Sequence, residues 1–472
     1  MTDSICVLII GAGFAGLGAA YTLYQNGFTD FLVLEGRDRI GGRSYTTYEL
    51  GDTDPVDLGS SWIQGKRHGN PILRIVRQHD IPYATVSASD TIHCQSHAFF
   101  LDGGTQLTDA QVDHMVHSHL NPFLHYAHQR QQQMISSQQQ PDVSFQQVLD
   151  EYLRDNQTHY NEKHRTFLES ALYTTIVAEY ASDLDDLSFL SWYGSDCGED
   201  CFMAVDGSGY SATVDALAKP FRSHIQLSSV VTAIERPNGM NTVQISYTHG
   251  EETRNIEASY VIVTLPLGVL KANMVNFNPP LPIEKHHAIN KLGNGMLNKC
   301  ILYWNDIENV FWPKNKDYLV RLVPTPRSNS GENNWLIFYN AFKYNGKKAI
   351  LIGLSAGKGA SAMELLSDEQ VQQDAVASLQ KMFTYVPEPS KVIITRWEKD
   401  EFSRGSYSFD AVGCTQLHRA ELCEPIDGKI FFAGEATDVI YPSTTQGALK
   451  SGERAARDVI EAMNCTSESH MC

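Results

Sequence analysis

Six consecutive apolar residues at positions 5–10 predict a parallel strand buried on both faces. A helical pattern follows from Ala15 to about Asn26, with Leu17, Ala20, Leu23 and Tyr24 on one face, and Gly27 ends it. Phe31, Leu32, Val33 and Leu34 read as a second strand, closed by Glu35. Further along, residues 212–218 predict a helix, and 225–227, 230–234 and 260–264 predict strands rich in β-branched side chains. Residues 105–195 carry helical spacing, and the glutamines between Gln129 and Gln140 read as a solvated helix end or loop. Lys299 stands inside a run, Leu297 to Leu302, that reads as a mostly buried strand. Strands alternating with helices predict an α/β fold.

The junction between the first strand and the first helix changes this picture. It reads Gly11-Ala12-Gly13-Phe14-Ala15-Gly16, a Gly-x-Gly-x-x-Gly spacing. Gly11 permits the tight turn, Gly13 lets a pyrophosphate approach the backbone, and Gly16 lets helix and strand pack closely. The helix N-terminus at Ala15 and Gly16 offers N–H groups and a positive dipole end to phosphates. Glu35 follows Gly16 by 19 residues, where a carboxylate binds ribose hydroxyls. Strand, turn, helix and acid together predict a dinucleotide site.

Composition narrows the partners. The 472 residues are 42% hydrophobic and 19% charged, an ordinary globular balance. The net charge of −18 argues against a nucleic-acid partner and suits a cationic substrate. Nine scattered cysteines show no disulfide framework and read as reduced thiols; Cys197 and Cys201 alone are weak grounds for zinc. The histidines between His93 and His164 lack the spacing of a helical zinc site and read as surface residues, so no metal is expected. No secretory leader and no long apolar span is seen, which points to a cytoplasmic protein without a membrane partner.

After Glu35 comes Gly36-Arg37-Asp38-Arg39-Ile40-Gly41-Gly42-Arg43, and this resembles the extended signature of the flavin amine oxidase superfamily. The resemblance continues through Asp57-Leu58-Gly59-Ser60-Ser61-Trp62, Gly207-Ser208-Gly209-Tyr210, Leu265-Pro266-Leu267-Gly268 and Leu292-Gly293-Asn294-Gly295-Met296. It closes on Arg396-Trp397, Gly405-Ser406-Tyr407, Ala433-Gly434-Glu435 and Tyr441-Pro442-Ser443-Thr444-Thr445-Gln446. The last stretch is similar to the spermine and acetylpolyamine oxidases of animals, with Gln446 where they usually have His.

The resemblance implies a two-domain FAD-dependent amine oxidase fold: a Rossmann-like dinucleotide-binding domain and a substrate domain of mixed sheet and helices. The flavin domain is expected at 1–84, 203–270 and 390–472, and the substrate domain at 85–202 and 271–389. Gly11, Gly13, Ala15, Gly16, Glu35, Arg37, Arg43, Gly59, Ser60, Val231, Trp397, Glu435 and Thr445 are expected to bind FAD. Ser406 replaces the flavin-bonding cysteine of monoamine oxidases, so the FAD is expected to be noncovalent. Lys299 matches the family lysine that holds a water near flavin N5, and Tyr407 one of two aromatic residues flanking the amine. The second aromatic position holds Thr444. Gln64 stands where relatives carry His or Glu, and Glu179 with Tyr180 matches a tunnel-lining pair.

The implied reaction is oxidation of a secondary amine in spermine, spermidine or an acetylated polyamine, with hydride passing to flavin N5 and O2 leaving as hydrogen peroxide. The alternatives are an oxidase of a monoamine or amino acid, and a flavin-binding protein without turnover. An amino-acid oxidase would need a cation for the carboxylate, and no Arg stands near the matched pocket motifs. A histone demethylase is not expected, for want of an added amino-terminal domain or a long coiled-coil insertion.

Overall fold

The first strand, Asp3–Ile10, occupies the middle of an eight-stranded sheet, which explains its unbroken apolar run. In this computed structural model the described residues are 3–51, 54–64, 69–87, 92–137, 141–192, 199–203, 208–236, 240–308, 310–323, 331–346 and 348–468. Cys197, Gly207 and Gln138 to Gln140 lie outside them.

Strand Asp3–Ile10 pairs in parallel with Phe31–Leu34 on one side and with Glu252–Val263 on the other. Ile225–Gln226 extends the sheet beyond Phe31–Leu34, and Ile430–Phe432 adds to the end of Glu252–Val263. All of these pairings are parallel, so the carboxyl ends of the strands share one edge. Ligands of open parallel sheets bind at that edge. The other half of Glu252–Val263 runs antiparallel to Val243–His249, which pairs with Ser229–Glu235. The register slips between Val231 and Ala233, a bulge beside the nucleotide cavity described below.

Helix Phe14–Gln25 packs against the last helix, Thr445–Glu468. The approach is close because glycines face backbone. A Cβ on Gly452 would lie 1.8 Å from the Ala15 carbonyl oxygen, and one on Gly18 would lie 2.7 Å from that of Leu449.

A second sheet of seven strands is mixed, in the order Lys391–Ile394, Leu297–Trp304, Ala349–Ala356, Ile337–Asn340, Tyr318–Leu322, His97–Leu101, Thr105–Gln106. Tyr318–Leu322 and His97–Leu101 are parallel, and the other neighbours antiparallel. One face packs on the helices Asn121–Ser137, Phe145–Asp155 and Glu162–Leu172 through a cluster that includes Phe99, Phe123, Phe145 and Phe167.

Two strands fall past the expected segment edges. Asn276–Asn278 joins the first sheet through Ser229–Glu235, and Lys391–Ile394 joins the second through Leu297–Trp304. Both follow from pairing with distant strands, which local patterning does not carry. The histidines depart further from expectation. His97 and His119 are buried, at 0% and 7% exposed. The His97 ring stacks on Tyr318, and that of His119 on His164. Burial pushes the imidazole of His97 down to about 3 and that of His119 to about 4, so both are neutral core rings. The described cysteines, Cys201 among them, are free thiols.

Candidate active site

Two adjoining cavities lie at the carboxyl edge of the first sheet. The smaller, about 320 Å³, is walled by Gly11, Gly13, Ala15, Glu35, Arg37, Val231 and Glu435, among others. The larger, about 960 Å³, reaches from there into the helical part and is walled by Gly59, Trp62, Gln64, Glu179, Tyr180, Lys299 and Trp397, among others. Arg43, Ser60, Ser406, Tyr407, Thr444 and Thr445 border both. The two therefore lie side by side and share part of their walls. Of the predicted site residues, Gly16 alone borders neither, and its part is to hold the turn.

The smaller cavity fits a dinucleotide. Gly11 has φ +102°, a conformation that side-chain-bearing residues rarely adopt. A Cβ on Gly16 would lie 1.8 Å from the Gly11 carbonyl oxygen, so only glycine closes the turn. A Cβ on Gly13 meets nothing within 4 Å, which leaves room above it for a phosphate. Helix Phe14–Gln25 starts at Gly13 with no side-chain cap, so its first N–H groups remain for an anion. Glu35 accepts hydrogen bonds from the Ala12 and Arg37 N–H groups at 2.7 and 2.9 Å, which aim its carboxylate. Burial pushes its pKa up, against the pull of those N–H groups and of Arg37 and Arg39.

Four predicted cofactor residues also make bonds within the protein. The Arg37 guanidinium makes a two-pronged bond to Asp400, at 2.8 and 2.6 Å, and a third bond to Ser403. It fastens a loop 363 residues away while also lining the cavity. Arg43 Nη1 donates to the Ser406 carbonyl and to Glu435, at 2.9 and 3.0 Å, leaving its other N–H groups for a phosphate. Glu435 also accepts from the Ser408 hydroxyl at 2.6 Å and the Ser443 N–H at 3.1 Å. Arg43, Ser408 and Arg419 hold this buried carboxyl below its ordinary range despite burial. Glu435 is thus the hub of a polar network under the site. Thr445 pairs with the Tyr210 hydroxyl at 2.7 Å, joining the last helix to helix Tyr210–Ala218.

In the larger cavity Lys299 is buried, and its ammonium donates to the Asp57 and Gly59 carbonyls and to the Ser61 hydroxyl, at 2.8, 2.6 and 2.6 Å. Burial pushes its pKa down to about 8. It lies 5.5 Å from the centre of the Trp62 ring. Tyr407 donates its hydroxyl to the Ala178 carbonyl at 3.1 Å. Burial raises its pKa well above the ordinary phenol, so it stays neutral. Trp397 packs with Met296 and Ala360 behind the cavity. The Gln64 amide donates to Glu179 at 2.5 Å. Glu179 follows a wide π-type turn, Tyr173–Val177, which re-aims the helix end towards the cavity. Ser406 exchanges hydrogen bonds with the backbone of Leu297. No described cysteine borders either cavity.

Thr444 has a local role that sequence reasoning missed. Its hydroxyl accepts from the Gly447 N–H at 3.0 Å, three residues on, and so caps the last helix. Thr444→Ala is expected to lower stability by about 1 kcal/mol, read as an earlier midpoint in urea. Thr444→Ser should restore it.

Sequence reasoning also passed over Arg419 and Asp410, both on the cavity wall. Arg419 is a cation beside the pocket, contrary to expectation. Its guanidinium is engaged by Asp410 at 2.8 Å, the Ser408 hydroxyl at 2.8 Å and the Ala436 carbonyl at 3.2 Å. That commitment argues against a substrate carboxylate there. Away from both cavities, His287, His418 and Glu421 come together on two packed helices. His418 Nδ1 accepts the Thr415 N–H at 2.9 Å, which ties that ring to helix capping.

Comparison with known proteins agrees with this geometry. The family model for flavin containing amine oxidoreductase matches residues 14–460. Polyamine oxidase 3 of Oryza sativa subsp. japonica is 31% identical over 96% of this chain and 88% of its own length. Probable polyamine oxidase 4 of Arabidopsis thaliana is 32% identical over 96% and 86%. Lysine-specific histone demethylase 1 homolog 1 of Arabidopsis thaliana is 33% identical over 96% of this chain, but over 52% of its own length. Among solved structures, a putrescine oxidase triple mutant superposes with a TM-score of 0.74 at 18% identity, covering 98% of this chain and 100% of that one.

Proposed function

The chain belongs to the flavin-containing amine oxidoreductase family, an FAD enzyme acting on amines, and on that premise we propose that it oxidises a secondary amine of a polyamine: spermine, spermidine or an acetylated derivative. The observation that carries the reading is Glu179, an acid held by Gln64 in the wall of the same cavity as Lys299 and Tyr407. A polyamine needs such an acid for a distal ammonium, while its reacting nitrogen sits elsewhere. Gly13, Glu35, Arg43 and Glu435 would hold FAD, which when bound would supply the acceptor for a hydride from the carbon beside that nitrogen and the means of passing the electron pair to O2.

The balanced reaction takes amine, O2 and water to a shorter amine, an aldehyde and hydrogen peroxide. The chain's part is to bind and orient. A protonated nitrogen has no lone pair to assist hydride loss. The aromatic side chains of Trp62, Trp397 and Tyr407 favour the neutral amine by desolvation. Glu179 keeps the distal nitrogen charged and fixes how deep the chain sits.

Glu179→Gln is expected to raise KM for a polyamine roughly tenfold or more, since a charge-assisted hydrogen bond is lost, with a smaller change in kcat. The proposal itself is tested by mass spectrometry of products from spermine, N1-acetylspermine, benzylamine and a dimethyl-lysine histone peptide. Amine cleavage products from a polyamine support it. Demethylation of the peptide with intact polyamines would sink it and favour the histone demethylase relative.

A further inference from the structure

Asp57, whose carbonyl belongs to the Lys299 cradle, also carries a buried carboxyl group. It is 1% exposed. Its Oδ1 accepts from the Thr46 hydroxyl at 2.5 Å and from the Tyr210 N–H at 2.9 Å, at the start of helix Tyr210–Ala218. Its Oδ2 is buried with no hydrogen-bond partner among the described residues. Its own carbonyl is one of the three acceptors of the Lys299 ammonium. Backbone and side chain of one residue thus touch the lysine and the helix that closes the flavin side of the site.

An acid buried in this way is costly unless its charge is used. We propose that Asp57 is a positioning residue whose carboxylate sets the protonation of Lys299 and, through its carbonyl, fixes where the ammonium points. Among the described residues, the charges facing it are few. Lys299 acts on it from strand Leu297–Trp304. The exposed Tyr48 phenol feels both Asp57 and Asp215. Burial raises the Asp57 carboxyl to about 6, with Thr46, Tyr210 and Lys299 pulling against it. Near neutral pH it is therefore mostly ionised, and its charge opposes the desolvation that lowers Lys299.

The inference rests on Lys299 and not on which amine is the substrate, so the test avoids substrate altogether. Asp57→Asn keeps acceptors for Thr46 and Tyr210 and removes the charge. Thr46→Val keeps the acid and removes the hydroxyl that favours its ionised form. In protein labelled with 13C at the lysine ε-carbon, the Lys299 signal, assigned with Lys299→Arg, is titrated with and without FAD. In Asp57→Asn the Lys299 midpoint should fall by roughly one pH unit, as when an opposite charge is taken away. Thr46→Val should move it the same way by less. The pH profile for reaction of the photoreduced protein with O2 should shift in parallel.

An unchanged Lys299 midpoint in folded Asp57→Asn overturns the proposal. Should Asp57→Asn fail to fold, Thr46→Val decides, and an unmoved midpoint there overturns it equally. Failure of the polyamine reading would appear only in the product analysis and would leave these titrations as they are.

Discussion

Lys299→Met is expected to slow the reaction of the photoreduced enzyme with O2 by roughly a hundredfold or more, the scale of one positioned proton donor or acceptor. The reason is the cradle. Three oxygens hold the ammonium on the wall shared with Ser61 and Trp62, and burial brings its pKa to about 8. A lysine at the surface would stay charged throughout the working range, whereas this one exchanges its proton near neutral pH. Methionine keeps the length and apolar stem and loses the proton. Stopped-flow absorbance against O2 concentration gives the rate constant. The wild-type rate should show an inflection near pH 8 that Lys299→Met lacks.

Stability carries the same signature. The Lys299 pKa is lowered on folding, from 10.5 to about 8. Between those values the unfolded chain binds the extra proton, so this group's contribution to stability rises with pH. The rise should be absent in Lys299→Met. An unchanged oxygen rate in the variant would remove Lys299 from the chemistry.

Gly16→Val is expected to abolish FAD binding and to cost about 3 kcal/mol or more of stability. Its Cβ would fall 1.8 Å from one backbone atom of Gly11 and 2.9 Å from another, and no side-chain movement relieves that contact. Gly13→Ala separates the two effects. Its methyl group meets no protein atom within 4 Å. That variant should fold like the wild type and lose affinity for FAD, because the methyl occupies the space above the uncapped helix. Visible absorbance of the purified proteins and their thermal midpoints read both outcomes. A fully flavinylated Gly16→Val protein would contradict the turn geometry.

These cases show what was legible in the sequence. The first strand, helix and second strand are specified within some 30 residues, and the structure places them at Asp3–Ile10, Phe14–Gln25 and Phe31–Leu34. Local patterning and a turn that only glycine can make are enough there. Lys299 was legible from the family resemblance, and its neighbours read as the mostly buried strand that the structure places at Leu297–Trp304. The pairing of Arg37 with Asp400 was not, since the two are 363 residues apart. His97 and His119 were misplaced for the same reason: Tyr318 and His164, which cover them, are brought there by tertiary packing. Thr444 had a readable signal, a hydroxyl residue three positions before Gly447 at a helix start, and it stood unread beside the resemblance. Asp57 also gave a signal, an acid between Val56 and Leu58, whose meaning depends on Lys299, 242 residues further on.

The central claim is that this chain takes electrons from a polyamine onto bound FAD. Anaerobic mixing with spermine, N1-acetylspermine and a simple monoamine, followed by flavin absorbance, tests it most directly. The account predicts rapid bleaching with at least one polyamine and none with the monoamine. Bound flavin that no polyamine bleaches would contradict it.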